Sequence, residues 1–367
     1  MLRMTYPDCV PVLTDGVVTL RSHIESDVAR MTQMGQDPEA ARWTAIPQPY
    51  DTSHARSFIE EVVVPGWERH HRGWAIEYDG AFAGNLDVRG KGVANVGFML
   101  HPDARGHGVM VRALRLATRW VFDNTEVEVV HWRAHVGNVA SLRTAWAAGF
   151  TLHGTSPGFL YERGRAIDAW TASLGPDDDG TRRTPWWGSP VLEGTKAVLR
   201  PFRDSDVPRI VEACTDPETR HWVPVPAPYT EEVGRGYLNS SAWNTATGTM
   251  ALWAIADPDS DILLGNLAVL RMDNRTLTGE IGYWMHPDAR GRGVMTEAVQ
   301  LVTNHALAPI DQGGLGRRRL TLYAAAGNAA SNAIALKAGF THTGTMRAAE
   351  RLGDGSYDDL NAYDLLA

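Results

Sequence analysis

Ten residues that occur twice constrain this chain more than any other feature. His101-Pro102-Asp103-Ala104-Arg105-Gly106-His107-Gly108-Val109-Met110 and His286-Pro287-Asp288-Ala289-Arg290-Gly291-Arg292-Gly293-Val294-Met295 differ at one position, His107 against Arg292. The second copy follows an apolar, aromatic run, Glu280-Ile281-Gly282-Tyr283-Trp284-Met285, and opens into Thr296-Glu297-Ala298-Val299-Gln300-Leu301, which reads as a helix. A strand, a glycine-rich turn and a helix in that order aim several backbone N–H groups at one anion.

The surroundings are duplicated as well. Pro11-Val12-Leu13 and Leu20-Arg21 return as Pro190-Val191-Leu192 and Leu199-Arg200, and Ser26-Asp27-Val28 returns as Ser205-Asp206-Val207. Trp43 returns as Trp222, Gly84-Asn85-Leu86 as Gly265-Asn266-Leu267, and Gly137-Asn138 with Ser141 as Gly327-Asn328 with Ser331. The offset between copies grows only by short insertions, such as Gly313-Gly314-Leu315-Gly316. Two complete domains in tandem explain this pattern; a solenoid of short repeats does not. The 367 residues fit two domains by the usual size range. We expect a first domain over residues 1–175, a linker over 176–188 rich in proline, glycine and charge, and a second domain over 189–367. Trp186-Trp187 is unusual for a free linker, and these rings are expected to pack on a domain face.

Each half alternates strands and helices. In the second, strands are expected over residues 197–201, 250–256, 262–270, 278–285 and 319–324, with a closing pair over 341–349 and 357–366. Helices are expected over 206–214, 231–239, the stretch after the turn, and 329–338. The fold class is α+β: each domain a mainly antiparallel mixed sheet flanked by helices.

These residues resemble a family. Arg-x-x-Gly-x-(Gly/Ala) between an apolar strand and a helix is similar to the acyl-CoA signature of the GNAT superfamily of N-acetyltransferases. With Asn328-x-x-Ser331 and Ala338-Gly339-Phe340, the second half resembles the branch that includes the RimJ/RimL ribosomal-protein acetyltransferases. The likeness covers nearly the whole chain, twice. It departs at Met110 and Met295, where the family usually has Gly or Ala, and these side chains are expected to narrow the approach to a pyrophosphate.

The resemblance implies acetyl-CoA as the cosubstrate. Its pyrophosphate suits the turn, its pantetheine arm can pair with an open strand edge, and glycine lets backbone N–H groups come close. The expected cofactor residues are Met285, Arg290, Gly291, Arg292, Gly293, Val294, Met295, Thr296, Asn328 and Ser331 in the second half. In the first half they are Leu100, Arg105, Gly106, His107, Gly108, Val109, Met110, Asn138 and Ser141. A tight turn without ligand is the plain alternative, and helix capping alone accounts for Asn328. Ser331 is expected to protonate the leaving thiolate, a role certain members of the branch give this serine.

An amine is protonated at neutral pH, so direct transfer needs a base. Glu280, on the strand entering the turn, is the candidate, against the reading of a solvated carboxylate at a strand end. The first half has Asn95 there, which makes the second half the better catalyst. Trp222 and Tyr229, with Trp43 as counterpart of Trp222, are expected either to border the substrate cleft or to pack in the core. His221 and His286 stand as secondary bases.

The formal charge of −8 argues against a general nucleic-acid binder and leaves room for a local basic pocket. Cys9 and Cys214 have no metal-ligand spacing, so no metal site is expected, and neither lies near a site element that would favour a covalent intermediate. No membrane-spanning run or signal peptide is recognised, which makes the cytoplasm the default. The resulting expectation is an N-acetyltransferase acting on a small-molecule or peptide amine, as monomer or homodimer. A longer donor such as succinyl-CoA, or a catalytically silent CoA-binding scaffold, are the alternatives.

Overall fold

The computed structural model describes residues 10–367, so Cys9 lies outside the described residues. The chain divides between Arg183 and Thr184 into two compact units.

The first unit carries an eight-stranded sheet. Its strands are Leu13–Thr14 (β1), Val18–Arg21 (β2), His71–Tyr78 (β3), Ala81–Lys91 (β4), Val93–Leu100 (β5), Val129–His135 (β6), Thr151–Glu162 (β7) and Arg165–Leu174 (β8). They lie in the order β1-β2-β3-β4-β5-β6-β8-β7. The second unit repeats this with Leu192–Glu193 (β9), Val198–Arg200 (β10), Ala251–Ala256 (β11), Leu263–Asp273 (β12), Thr278–Met285 (β13), Arg319–Ala325 (β14), Thr341–Arg351 (β15) and Tyr357–Leu366 (β16). Its order is β9-β10-β11-β12-β13-β14-β16-β15.

Neighbours pair antiparallel except β5 with β6 and β13 with β14. Antiparallel partners can be joined by tight turns, whereas a parallel pair needs a long crossover. Here the crossovers contain the helices Val109–Asn124 and Val294–Leu307, both opened by the duplicated turn. Val294, Ala298, Val302 and Ala306 are buried along one side of the second helix, the spacing of an amphipathic helix facing a core.

Strand alternation gives β13 two different faces. Ile281, Tyr283 and Met285 belong with the core formed by Leu199, Trp253, Leu267, Val294 and Val302. Trp284 joins the opposite cluster of Ile210, Cys214 and Tyr229. That side is covered by the helices Val207–Thr215 and Glu231–Ala246. Ala251–Ala256 is buried along its whole length, as its near-continuous apolar sequence requires.

Three local features differ from the sequence reading. The helix Glu231–Ala246 runs past Asn239 through Ser240-Ser241, because Ser241 Oγ donates back to the Tyr237 carbonyl at 2.8 Å and no longer competes for a cap. Short helices at Pro38–Trp43 and Pro217–Trp222 complete each unit. Asp37 and Asp216 cap them, accepting from the N–H groups of Ala40 and Thr219, with proline at the first helical position.

The residues expected to form a linker are held down on either side of the division. In the first unit, Arg115 donates to the Gly180 carbonyl at 2.9 Å, and the Arg182 guanidinium lies 4.8 Å from the Trp146 ring centre. In the second, Thr184 Oγ1 donates to the Ala246 carbonyl, and Trp187 is 8% exposed with its indole N–H on the Gly248 carbonyl at 2.9 Å. Trp187→Ala is therefore expected to destabilise the second unit by about 3–5 kcal/mol, the usual cost of emptying a buried tryptophan site. Urea unfolding followed by fluorescence measures it, and an unchanged midpoint would show that the ring is not part of that core.

Candidate active site

In both units the parallel pair ends early. Thr278, Gly279, Glu280 and Ile281 register with Arg319, Leu320, Thr321 and Leu322, and beyond them β13 and β14 part. In the first unit only Val93, Ala94 and Asn95 pair across to β6. The arms left without a partner on that side, residues 282–285 and 96–100, stay paired with β12 and β4 and lead into the duplicated turns. An edge of strand opening beside a helix N-terminus suits an extended anionic ligand, with backbone groups for its chain and N–H groups for its charge.

The turns have the conformation that such binding needs. Gly106, Gly108, Gly291 and Gly293 have φ of +81°, +72°, +74° and +75°, a left-handed region that costs other residues about 1–2 kcal/mol. A Cβ at Gly106, Gly108 or Gly291 would meet nothing within 4 Å. At Gly293 it would lie 2.8 Å from Lys196 Nζ. Glu297 holds that lysine's hairpin, its carboxylate accepting from Thr195 N, Thr195 Oγ1 and Lys196 N. Lys196, Gly293, Thr296, Glu297, Gln300 and Lys337 line a hollow of 320 Å³ beside the turn. In the first unit Arg112 stands in the place of Glu297 and donates to the Asp15 carboxylate at 2.7 Å.

Several expected residues have other duties. Arg290 donates to Glu218, Asp216 and Thr219, and Arg105 to Asp37 and the Leu100 carbonyl, so both fasten the turn to the short capped helix. Met110 and Met295 are each 4% exposed. Their side chains are packed inward with Val109 and Val294, which leaves the approach to the turn open. Arg292 is half exposed, 4.0 Å from Asp257, and His107 stacks on Tyr78. His286 is fixed between Asp288 at 2.7 Å and Glu212 at 3.2 Å, and His221 stands 4.0 Å from Asp354.

Asn328 caps its helix, accepting from Ser331 N at 3.0 Å. The Ser331 hydroxyl is 2.9 Å from Tyr283 Oη, and burial pushes the Tyr283 phenol up to about 12. The two hydroxyls thus form a hydrogen-bonded pair beside the splayed strands. Asn332 was not anticipated: its Oδ1 accepts from Tyr363 Oη at 2.6 Å and from Asn361, fixing the same helix to β16. The second asparagine of Asn328-Ala329-Ala330-Ser331-Asn332, where the first half has Leu142, was the available signal. In the first unit Asn138 caps equally, accepting from Ser141 N at 3.1 Å, but Ser141 Oγ accepts from the Trp132 indole at 3.0 Å.

Glu280 shares the strand face of Trp284, opposite Tyr283, and accepts from the exposed Arg271 at 2.6 Å. Trp222 lies against Gly327 and stacks edge-on with His221, bordering the entrance to the Asn328 helix. Tyr229 is buried among Ile210 and Cys214. In the first unit an open cleft of 2410 Å³ gathers Leu100, the whole turn 105–110, Asn138, Ser141 and Trp43. It also takes in titratable groups from separate strands that no sequence spacing brings together: Asp87, Arg89, His135 and Glu162.

No helix among the described residues is long and apolar enough to cross a membrane, and no group of three His, Cys, Asp or Glu among them could hold a metal ion. A family model described as an acetyltransferase (GNAT) domain matches residues 18–151 and again 196–341. The ribosomal-protein-serine acetyltransferase of Escherichia coli (strain K12) is 35% identical over 103 residues, 28% of this chain and 54% of that protein. The chain thus spans about half the length of this relative. An uncharacterized N-acetyltransferase of Bacillus subtilis (strain 168), YoaA, is 23% identical over 177 residues, 48% of this chain and 97% of the relative. Among solved structures, an acetyltransferase from Salmonella typhimurium that modifies the N-terminal serine of 50S ribosomal protein L7/L12 is similar at 23% identity. Its TM-score is 0.42, with 48% of this chain and 99% of that one covered.

Burial pushes the Cys214 thiol up to about 11, against the opposing hydrogen bond from Tyr229. A thiol is nucleophilic as its thiolate, so Cys214 is unsuited to carry an acyl group at neutral pH. We expect no iodoacetamide labelling of Cys214 at pH 8 in the folded chain and full labelling once it is unfolded, read by peptide mass mapping. Labelling at similar rates in both states would contradict this placement.

Proposed function

The chain belongs to the GNAT acetyltransferase family in both its halves, and from that premise we propose that it transfers an acetyl group from acetyl-CoA to a primary amine by direct attack in a ternary complex. The observation that carries this reading is the pair of left-handed glycine turns, each opening a long helix beside two strands that part. The cosubstrate supplies the activated acetyl thioester. Backbone N–H groups of the turn from Gly291 to Thr296 would hold its pyrophosphate, with Lys196 as the nearby cation and the helix dipole adding to the attraction. Arg290 is not assigned to the anion, because its guanidinium is taken up by carboxylates.

The second unit holds the better supported chemistry. Glu280, on the acceptor face of β13, takes the proton from the incoming ammonium through water. Ser331, backed by Tyr283, returns a proton to the departing thiolate on the opposite face. The two proton transfers therefore lie on either side of the same strand. Trp222 borders the acceptor entrance, and Tyr229 supports it from within the core. The acceptor class is a primary amine on a small molecule or a peptide. The name of the Escherichia coli relative makes a ribosomal-protein serine one candidate to include among acceptors.

Glu280→Gln keeps the size and hydrogen bonding of the side chain but removes the proton acceptor. For an amine turned over by the second unit, thiol release should fall by roughly 10²–10⁴-fold at neutral pH, the usual worth of a general base. CoA binding should be unchanged, and the defect should narrow as the pH rises and free amine accumulates. Unchanged turnover of every acceptor at neutral pH would remove Glu280 from the mechanism.

A further inference from the structure

The duplicated strands carry a glycine at the same place, Gly97 in β5 and Gly282 in β13, and different groups stand over it. A Cβ at Gly282 would meet Leu270 at 2.8 Å; one at Gly97 would meet Arg89 at 2.8 Å and the Asp87 carboxylate at 3.1 Å. The face beside the reacting strand is thus apolar in the second unit and ionic in the first. Asp87 is not available as a base, because Arg89 holds its two oxygens at 2.5 and 2.9 Å. His135 is placed differently. It ends β6 beyond the last parallel pair, on the sheet face of Asn95 and Gly97, and it lines the open cleft. Its Nε2 lies 3.0 Å from Glu162 Oε2, with the two side chains 15% and 22% exposed. The Trp43 ring stands edge-on at 6.1 Å. The second unit has Ala325 at the corresponding position, so this pair belongs to the first unit alone.

We propose that the first unit is a second acetyltransferase site, with His135 as its general base, Glu162 as the residue that positions it, and a hydrophilic, charged amine as its acceptor. This rests on the acetyl-transfer reading above and adds a base and an acceptor class to it. With Glu162 accepting from Nε2–H, the Nδ1 lone pair is the one left to act as the base. A carboxylate holding an imidazole in one tautomer is a recurrent way to make a base that reaches a nucleophile's proton. In the reaction the amine nitrogen forms a bond to the acetyl carbon and the carbon–sulfur bond breaks. The ammonium gives one proton to His135 Nδ1 before attack and the nitrogen gives up a second as the amide forms, both passing through His135 to water. The thiolate sulfur gains one from the Ser141 hydroxyl, which recovers it from solvent. No oxidant or further reactant is needed. Loss of the carboxylate at Asn95 is thus no obstacle to catalysis in the first unit.

The test uses the full chain carrying Gly293→Glu, which strains a left-handed position and sets a carboxylate beside Lys196, silencing the second unit. Lysine, ornithine and spermidine serve as acceptors, with phenethylamine and tryptamine as apolar comparisons. We expect Gly293→Glu to retain thiol release with the hydrophilic set. His135→Ala in that background should lower its kcat by about 10²–10⁴-fold, with added imidazole restoring activity. Glu162→Gln should lower kcat while leaving the acceptor KM unchanged. Independently of turnover, ¹⁵N NMR of the histidines, assigned with His135→Gln, should find His135 as the Nε2–H tautomer, and Glu162→Gln should disturb it. An Nδ1–H tautomer, or loss of activity without rescue in a chain that melts normally, would overturn the assignment of the base. If the unmodified chain releases thiol and the Gly293→Glu chain does not, the second site is overturned and the family reading stands. If neither turns over any acceptor, the acetyl-transfer reading falls and this inference with it.

Discussion

Everything proposed for this chain depends on two strands that pair for only a few residues. In an otherwise antiparallel sheet, β13 and β14 run parallel and separate after Ile281 and Leu322, as β5 and β6 do after Asn95 and His131. A sheet does not forgo ladder bonds without cause, since backbone donors and acceptors withdrawn from water need partners. The opening is placed where the left-handed glycines begin the crossover helix. The strand that loses its neighbour and the turn that gathers N–H groups are therefore consecutive in the chain. The carboxylates at Asp216 and Asp37 keep this arrangement rigid by holding Arg290 and Arg105, and the buried side chains of Val294 and Met295 anchor the helix start from below.

Around this common frame the two copies have exchanged charge. Lys196 stands over the second turn, steadied by Glu297, where the first unit has Val17 and an Arg112–Asp15 pair instead. The serine of the capped helix meets a phenol in one unit and an indole in the other. Each substitution keeps the backbone geometry and alters what surrounds it. Duplication has thus preserved the part that needs a particular main-chain conformation and released the side chains that face an acceptor.

The sequence made the frame legible because its demands are local. Glycine at the duplicated turns and the periods of strand and helix are each visible within a few residues, and the Asp-Pro pairs at Asp37 and Asp216 carried an equally local signal for the short helices that the sequence reading passed over. The caps at Asn138 and Asn328 were equally readable. What could not be read depends on contacts between distant segments. Arg290 looks like an anion ligand until Asp216 and Glu218 are brought to it from more than seventy positions away. Met295 looks like an obstruction until the helix is turned and its side chain enters the core. His135, Glu162 and Asp87 come from three strands, and no spacing marks them as neighbours. Asn95 alone suggested a first unit without a base, whereas the fold supplies an imidazole from β6.

The claim on which the rest stands is that each glycine turn holds the phosphates of a coenzyme A. Calorimetric titration of the intact chain with coenzyme A tests it directly. The account predicts two sites per chain, of unequal affinity because only the second has Lys196 over its turn, and each lost separately when its own turn is disrupted. A single site, or binding that survives disruption of both turns, would contradict it.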